Sequence, residues 1–378
     1  MKRIAALSLA LCLALCACGS RFGLYSNISE VERLQLVKTM GVDLAAGGVT
    51  VSADAGDAEE GEPVLYLVQA ATMAEAARRL EKNAMKYDAN ISHTEHVIIG
   101  EEAARQGIGE FLDYVARTMQ MRLDTCLFIA RGVSAEEVVT GARGADSGVS
   151  EMLTSLKKDA PYIAGGGVTS CQEAAAAMAK GEPFLLRAVT LAPSEEQSAE
   201  ERYRTVRPAG CAVISGGRLA GFAPEEDAEA AGILTGTVVS GCRVVRYRGL
   251  PVTLLLTGVR SRLEPRFDGG SPGFTVDVFL RYSIQGAAPP LRLSEPRIRA
   301  ALASAAAEAV RGELTAAIER AKAMKCDYLG IGSALAAAAP LKMEQVRRAW
   351  QTLFPDAKFE VRAEAVLQRS YDLTDPVP

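Results

Sequence analysis

Three of the chain's eight cysteines, Cys12, Cys16 and Cys18, fall within seven residues near the N-terminus, where thiolates could ligate a metal or exchange electrons. A closed tetrahedral site needs further partners, and no His or Cys pair follows within that run. The other candidates for chemistry are sparse. Only two histidines exist, His93 and His96 in SHTEHVIIG, and in a strand residues three apart point to opposite faces, so they cannot converge on one ion. Gly165-Gly166-Gly167 ahead of Thr169-Ser170 has the composition of an anion-binding nest, yet it lacks a P-loop lysine and a preceding buried strand. It reads as a loop leading to a helix N-cap. Glu225-Glu226-Asp227 could be a catalytic carboxylate group, but acids in the first turn of a helix are explained by the helix dipole alone. No G-x-S-x-G elbow, spaced Cys/His pair or dinucleotide fingerprint occurs. The residues therefore predict no catalytic centre, metal site or cofactor, and a protein that is not an enzyme.

What flanks the cysteines explains them better. Met1-Lys2-Arg3 is a short basic region, Ile4 to Leu15 is apolar, and a small-residue exit follows, the pattern of an export signal. Twelve apolar residues fall short of the roughly 20 that cross a bilayer. Leu15-Cys16-Ala17-Cys18 is similar to a bacterial lipobox, which makes Cys18 the lipidated first residue of the mature chain. Cys16 fits less well, because Leu15 would then occupy the position that requires a small residue. Acyl chains contribute about 0.8 kcal/mol per buried CH₂, so two or more hold a protein at a membrane surface lastingly.

The formal charge is −4, with 42 basic and 46 acidic residues, which excludes a strongly basic nucleic-acid binder by composition. Hydrophobic residues make up 49%, the content of a globular chain. Beyond the signal no apolar run reaches the length of a membrane span. Cys126, Cys171, Cys211, Cys242 and Cys326 are widely spaced and odd in number, which argues for buried thiols rather than a disulfide framework. Cys211 and Cys242 are the one pair whose surroundings, both strand-like, leave a bridge open.

The elements that must position these residues follow from periodicity. Val37 to Asp43 and Gly48 to Ser52 predict a hairpin, followed by an acidic loop at 54–62 and a strand at 64–69. Helices are expected from Thr72 to Tyr87 and on the stripe Ile108, Phe111, Leu112, Val115 and Met119. Strands His96 to Ile99 and Thr125 to Ala130 and a helix at 134–140 complete a mixed unit, with short helices near 150–158 and 170–180. PSEEQSAEER, residues 193–202, reads as a flexible linker. Beyond it, CAVISGGRLAGF predicts a hairpin with Gly216-Gly217 at its tip, and a short helix starts near Pro224. Strands are expected at 235–240, 242–247, 252–259 and 274–284. A helix from Glu295 to about Lys325, roughly 45 Å at 1.5 Å per residue, precedes a helix at 341–353 and a closing strand that alternates Phe359, Val361, Ala363 and Ala365. The expectation is an α+β protein: signal peptide 1–17, N-terminal α/β domain or domains 18–192, linker 193–202, and a C-terminal domain 203–378 of antiparallel strands with one long and one shorter helix. Gly330 or Gly332 is expected at positive φ, and Trp350 as a core anchor.

Two stretches carry a resemblance. Residues 91–139, ISHTEHVIIGEEAARQGIGEFLDYVARTMQMRLDTCLFIARGVSAEEVV, and residues 323–370, AMKCDYLGIGSALAAAAPLKMEQVRRAWQTLFPDAKFEVRAEAVLQRS, resemble the Ger(x)C family of spore germination lipoproteins. LQLVKTMGVD lies before the first stretch and GCAVISGGRLAGFAPEEDAEAAGIL between the two, in the family's order. The resemblance implies the C subunit of a nutrient germinant receptor: a lipid-anchored, non-catalytic protein with a multi-domain α+β fold. It also implies multi-pass membrane partners of the A and B types, the outer face of the spore inner membrane as location, and a role in nutrient-triggered germination. The alternative class is a lipid-anchored solute-binding protein of a transporter, which calls for two alternating α/β lobes around a cleft, often aromatic-lined. One Trp and a strand-then-helix C-terminal half speak against it.

Overall fold

Leu34–Ala45 (β1) and Gly48–Ala55 (β2) form the expected antiparallel hairpin, with Gly47 at φ 83 in its turn. The computed structural model describes residues 34–55, 64–83, 88–118, 120–143, 147–159, 169–197, 202–238, 240–266, 273–287, 295–347 and 349–368. Among these, Val64–Ala70 (β3) extends the hairpin antiparallel to β2. On the other side of β1 run Asp88–Asn90 (β4) and His96–Ile99 (β5), both parallel to it and separated by the 3₁₀ turn Ile91–His93. Cys126–Ala130 (β6) and Phe184–Gln197 (β7) continue in parallel. Arg202–Ser215 (β8) and Arg218–Ala223 (β9) close the sheet antiparallel. The result is a nine-stranded mixed sheet in the order β3-β2-β1-β5-β6-β7-β8-β9, with β4 beside β1.

The parallel centre is buried on both faces, which is why HVII and CLFIA read as unbroken apolar runs. Val97, Ile99, Leu127 and Ile129 pack with residues of Met73–Asn83 (α1), Glu101–Gln106 (α2) and Gly109–Arg117 (α3), among them Leu80, Phe111, Leu112 and Val115. The alternate residues Ile98, Phe128 and Ala130 pack against Val138 and Val139 of Ala135–Gly141 (α4) and Leu153 of Val149–Asp159 (α5). Cys171–Lys180 (α6) returns to the first face through Cys171 and Ala174. Each large apolar side chain buried here contributes about 1.5–3 kcal/mol.

Glu225–Thr235 (α7) leads to a second sheet of Gly241–Tyr247 (β10), Leu250–Arg266 (β11), Gly273–Ala287 (β12) and Lys358–Leu367 (β13). Pro296–Ala323 (α8) lies along its inner face: Ile298, Leu302, Ala306, Val310, Leu314 and Ile318 meet Val276, Val278, Leu280 and Tyr282 in one core. Val213 of β8 and Ala223 of β9 belong to that same core, so the two sheets share packing.

Several expectations change. Residues 193–197 continue β7, with Pro193 paired to Arg204 and Gln197 to Arg202, so the expected linker is largely strand. Arg143 and Arg204 exchange backbone hydrogen bonds of 2.9 and 3.1 Å beside it. Glu195 and Arg204 are exposed, and such a stretch need not look apolar to be a strand. Where a strand is expected at 235–240, residues 235–238 are instead the end of α7 and the turn after it, and Gly236 at φ 73 ends the helix. The C-terminal sheet is not wholly antiparallel, since β13 returns parallel to β12 after the long helix. An unexpected helix, Ile331–Ala338 (α9), precedes the single helix expected at 341–353, which is two, Pro340–Arg347 (α10) and Trp350–Leu353 (α11). The stripe residues Phe111, Leu112 and Val115 lie on α3 as expected, with Ile108 as its N-cap after Gly107 at φ 145 ends α2, and Met119 lies outside the described residues.

Candidate functional site

In open sheets with parallel strands, ligands bind beyond the strands' C-terminal ends, where successive crossovers leave on opposite faces. Here β5 leads into α2 on one face and β6 into α4 on the other, so that crevice lies between them. The chain's own side chains fill it. Asp43, at the end of β1, accepts hydrogen bonds from the backbone nitrogens of Ala135 at 2.9 Å and Glu136 at 2.8 Å. Ser134 and Glu137 complete a capping box on the same helix. A side chain on Gly41 would run into Ser52 and lie 3.1 Å from the backbone of Ala135, and one on Gly100 would run into the Asp43 carboxylate. The two glycines therefore let α4 sit directly on the sheet end. Arg131, next along the rim, donates to the Ala209 carbonyl at 2.7 Å and lies 4.5 Å from the centre of the Phe222 ring.

The second concentration of polar groups is the joint between the two sheets. Arg187 of β7, itself buried, pairs with Glu225 at the start of α7. Asp227, fully buried one turn on, accepts from Arg320 of α8 and from the Tyr328 hydroxyl at 2.7 Å. Burial pushes the Tyr328 hydroxyl's pKa upward, and its hydrogen bond to Asp227 raises it further. Asp327 is 7% exposed and accepts from the backbone nitrogens of Ile331 at 3.0 Å and Gly332 at 2.7 Å and from the Trp350 indole at 2.7 Å. Burial raises the Asp327 carboxyl's pKa against the opposing pull of these three bonds. Ser333 donates to Glu182 at 2.8 Å and Gln351 to the Gly181 carbonyl at 3.1 Å, which ties α9 and α11 back to the turn after α6. Arg243 of β10 turns inward to Glu229 of α7 at 2.7 Å and to Glu313 of α8. These groups hold helices to sheets; they form ion pairs and caps, an arrangement that fixes the relative placement of the two halves.

The structure does not bring the two histidines together. His93 is exposed in the 3₁₀ turn, whereas His96 is fully buried beside Phe128, with Thr154 Oγ1 3.5 Å from its Nε2. Burial lowers its pKa to about 4, helped by the nearby Lys157. No group of three metal-ligating side chains occurs among the described residues. Glu225 and Asp227 are more than dipole partners, since each pairs with an arginine of another element. Cys211 is a buried free thiol pushed up to about 12 by burial, and Cys242 is free and exposed, so the possible bridge is not formed. Gly165, Gly166, Gly167 and Cys18 lie outside the described residues. Gly330 takes φ 73 as expected, while Gly332 sits inside α9, where a Cβ would run into the Trp350 indole. Sequence reasoning missed Asp43, Asp327 and Arg187. For Asp327 the available signal was an acid three residues before a glycine that opens an alanine-rich helix; for Asp43 and Arg187 the partners lie far away in sequence and no local signal exists.

Comparison with known proteins agrees with this architecture. Residues 27–176 match the model described as "Spore germination protein N-terminal domain", and residues 209–371 match "Spore germination B3/ GerAC like, C-terminal". Spore germination protein KC of Bacillus subtilis (strain 168) is 21% identical over 389 aligned positions, covering 92% of each chain. The solved structure titled "Crystal Structure of the GerBC protein" superimposes with a TM-score of 0.59 at 14% identity, over 87% of this chain and 97% of that one. No helix among the described residues is long and apolar enough to cross a membrane. With a spore-germination model matched in each half and both halves in the family's order, the chain belongs to the Ger(x)C family of spore germination proteins.

Proposed function

We propose that this chain is the C subunit of a spore germinant receptor, lipid-anchored through Cys18 on the outer face of the spore inner membrane. It acts there as a non-catalytic partner of multi-pass A-type and B-type subunits in nutrient-triggered germination. The observation that carries this reading is the paired match of N-terminal and C-terminal spore-germination models along one chain. The filled crevice at the strand ends and the polar groups consumed in the joint support a protein that offers surfaces rather than a reaction centre. A short tether confines the folded part near the bilayer, where effective concentrations reach the millimolar range, so even a weak contact with membrane subunits suffices.

Two measurements test this. Deleting the chain, or changing Cys18→Ala, should abolish acyl labelling and impair germination in response to nutrients. Calorimetry on the purified chain with amino acids, sugars and nucleosides should show no saturable heat. Normal germination without the chain sinks the receptor-subunit reading, and a micromolar nutrient affinity in the isolated chain favours the solute-binding class instead.

A further inference from the structure

Natural sheets protect their free edges with charge, proline, bulges or brevity, and three of the four edges here are protected. β13 carries Lys358, Glu360, Arg362 and Glu364, all exposed. β10 turns Arg243 inward onto Glu229 and Glu313, and β9 opens on the exposed Arg218 and is out of register with β8 between Val213 and Ile214. β3 differs: VLYLVQA has no charge and no proline, its register with β2 is unbroken, and Leu67 is 55% exposed.

The hydrogen-bond alternation identifies the groups that β3 presents. Gly100 N donates to Val42 O at 2.8 Å, so even-numbered residues at this end of β1 face β5 and odd-numbered ones face β2. Carried through the pairs Asp43↔Thr50 and Val51↔Val68, the alternation turns the backbone of Leu65, Leu67 and Gln69 outward. Arg79 of α1 agrees with this, since its Nη1 lies 2.6 Å from the outward carbonyl of Gln69. No described residue takes the N–H and C=O groups of Leu65 and Leu67.

We propose that this edge binds a second copy of the chain, by antiparallel β3 to β3 pairing about a two-fold axis at Tyr66. The sequence is self-complementary in that register: Leu65 lies opposite Leu67 of the second copy and the reverse, each pair exchanging two N–H···O=C bonds while the exposed Leu67 of each copy covers the half-buried Leu65 of the other. Charge favours the antiparallel sense. Asp57, Glu59, Glu60 and Glu62 come just before β3 in the chain, whereas Glu75, Arg78, Arg79, Glu81 and Lys82 come after it with one net positive charge, Arg79 being paired to Glu75. Antiparallel strands therefore direct the acidic stretch toward the weakly basic one, whereas parallel strands align acid with acid. The inference does not depend on the receptor-subunit reading, and its test is separate.

Sedimentation of the full chain purified in mild detergent should give a dimer, and Leu67→Lys, with an unchanged circular dichroism spectrum, should halve the apparent mass. At the axis, Tyr66 meets its own copy as a non-hydrogen-bonded pair with Cα atoms about 4.5 Å apart, inside the disulfide range. Tyr66→Cys, with Cys12, Cys16, Cys18 and Cys242 changed to Ser, should therefore form a covalent dimer on mild oxidation. A wild-type monomer at all concentrations with no Tyr66→Cys cross-link overturns the proposal, as does a Leu67→Lys dimer. If the wild type is monomeric but Leu67→Lys loses co-purification with a tagged A-type subunit, the edge takes a partner's strand and the second copy is ruled out.

Discussion

Three aspartates, the half-buried Asp43 and the buried Asp227 and Asp327, do the most work for their size. Asp43, Asp227 and Asp327 fall in LQLVKTMGVD, in GCAVISGGRLAGFAPEEDAEAAGIL and in AMKCDYLGIGS, segments that carry the family resemblance, and each is consumed in a cap or an ion pair with another element. Asp327 serves two backbone nitrogens and the Trp350 indole at once. Asp327→Ala should thus cost about 2–4 kcal/mol, because buried donors are left without acceptors, and Asp327→Asn, which keeps one acceptor oxygen, should cost less. Trp350 packs edge-on to Phe274 with ring centres 5.3 Å apart, and Trp350→Ala should cost about 3–5 kcal/mol. Denaturant midpoints of the three variants, with unchanged slopes, check both figures. His96 gives a pH signature. Its folded pKa of about 4 lies below the 6.5 usual for histidine, so between those values the unfolded chain binds more protons, and stability present above pH 6.5 is lost as pH falls toward 4. The shift corresponds to about 3 kcal/mol at most. Chemical denaturation across that window should show the decline in the wild type and a flatter line in His96→Leu.

At the scale of elements, the α4 crossing shows how sequence neighbours far apart make one unit. Ser134 caps its own helix locally, but Asp43 reaches Ala135 and Glu136 from 92 and 93 residues away. Asp43→Ala leaves the first-turn nitrogens of α4 without that carboxylate and should lower stability by about 1–2 kcal/mol, and hydrogen exchange should quicken in 135–141 before it does in the β5 and β6 core. If protection is lost evenly across the sheet, the cap is not the point of attachment. The elements with a clear apolar pattern, β5 and β6 as unbroken runs and β12, α3 and α8 by alternation or stripe, lie where that pattern puts them. Those that differ have tertiary causes. α9 reads as a loop because of Gly330 and Gly332, yet Asp327 caps it and Trp350 lies against Gly332 with no room for a side chain between them. The arm at 193–197 reads as a linker, yet it has β8 to pair with.

At the scale of the whole molecule, β8 and β9, the last two strands at one end of the first sheet, also supply Val213 and Ala223 to the core of the second. The halves are joined by Arg187 with Glu225 and Ser333 with Glu182, and Asp227 with Arg320 holds together the two helices on the second side of that joint. The sequence by itself determined the α+β class, the two-sided burial of the parallel strands, the long helix with its stripe, the hairpins at Gly47 and Gly216-Gly217, and the family. Apolar period, turn residues and quoted segments are local signals, and each acts within a few residues of where it is written. Only the tertiary structure decided that β13 returns parallel to β12, that the stretch 193–197 is strand, that Asp43, Asp227 and Asp327 hold helices, and that β3 is the edge no described residue covers. Those outcomes depend on which distant strand or helix offers a hydrogen-bond partner, and a carboxylate or a backbone edge carries no mark of its partner until packing brings the two within about 3 Å.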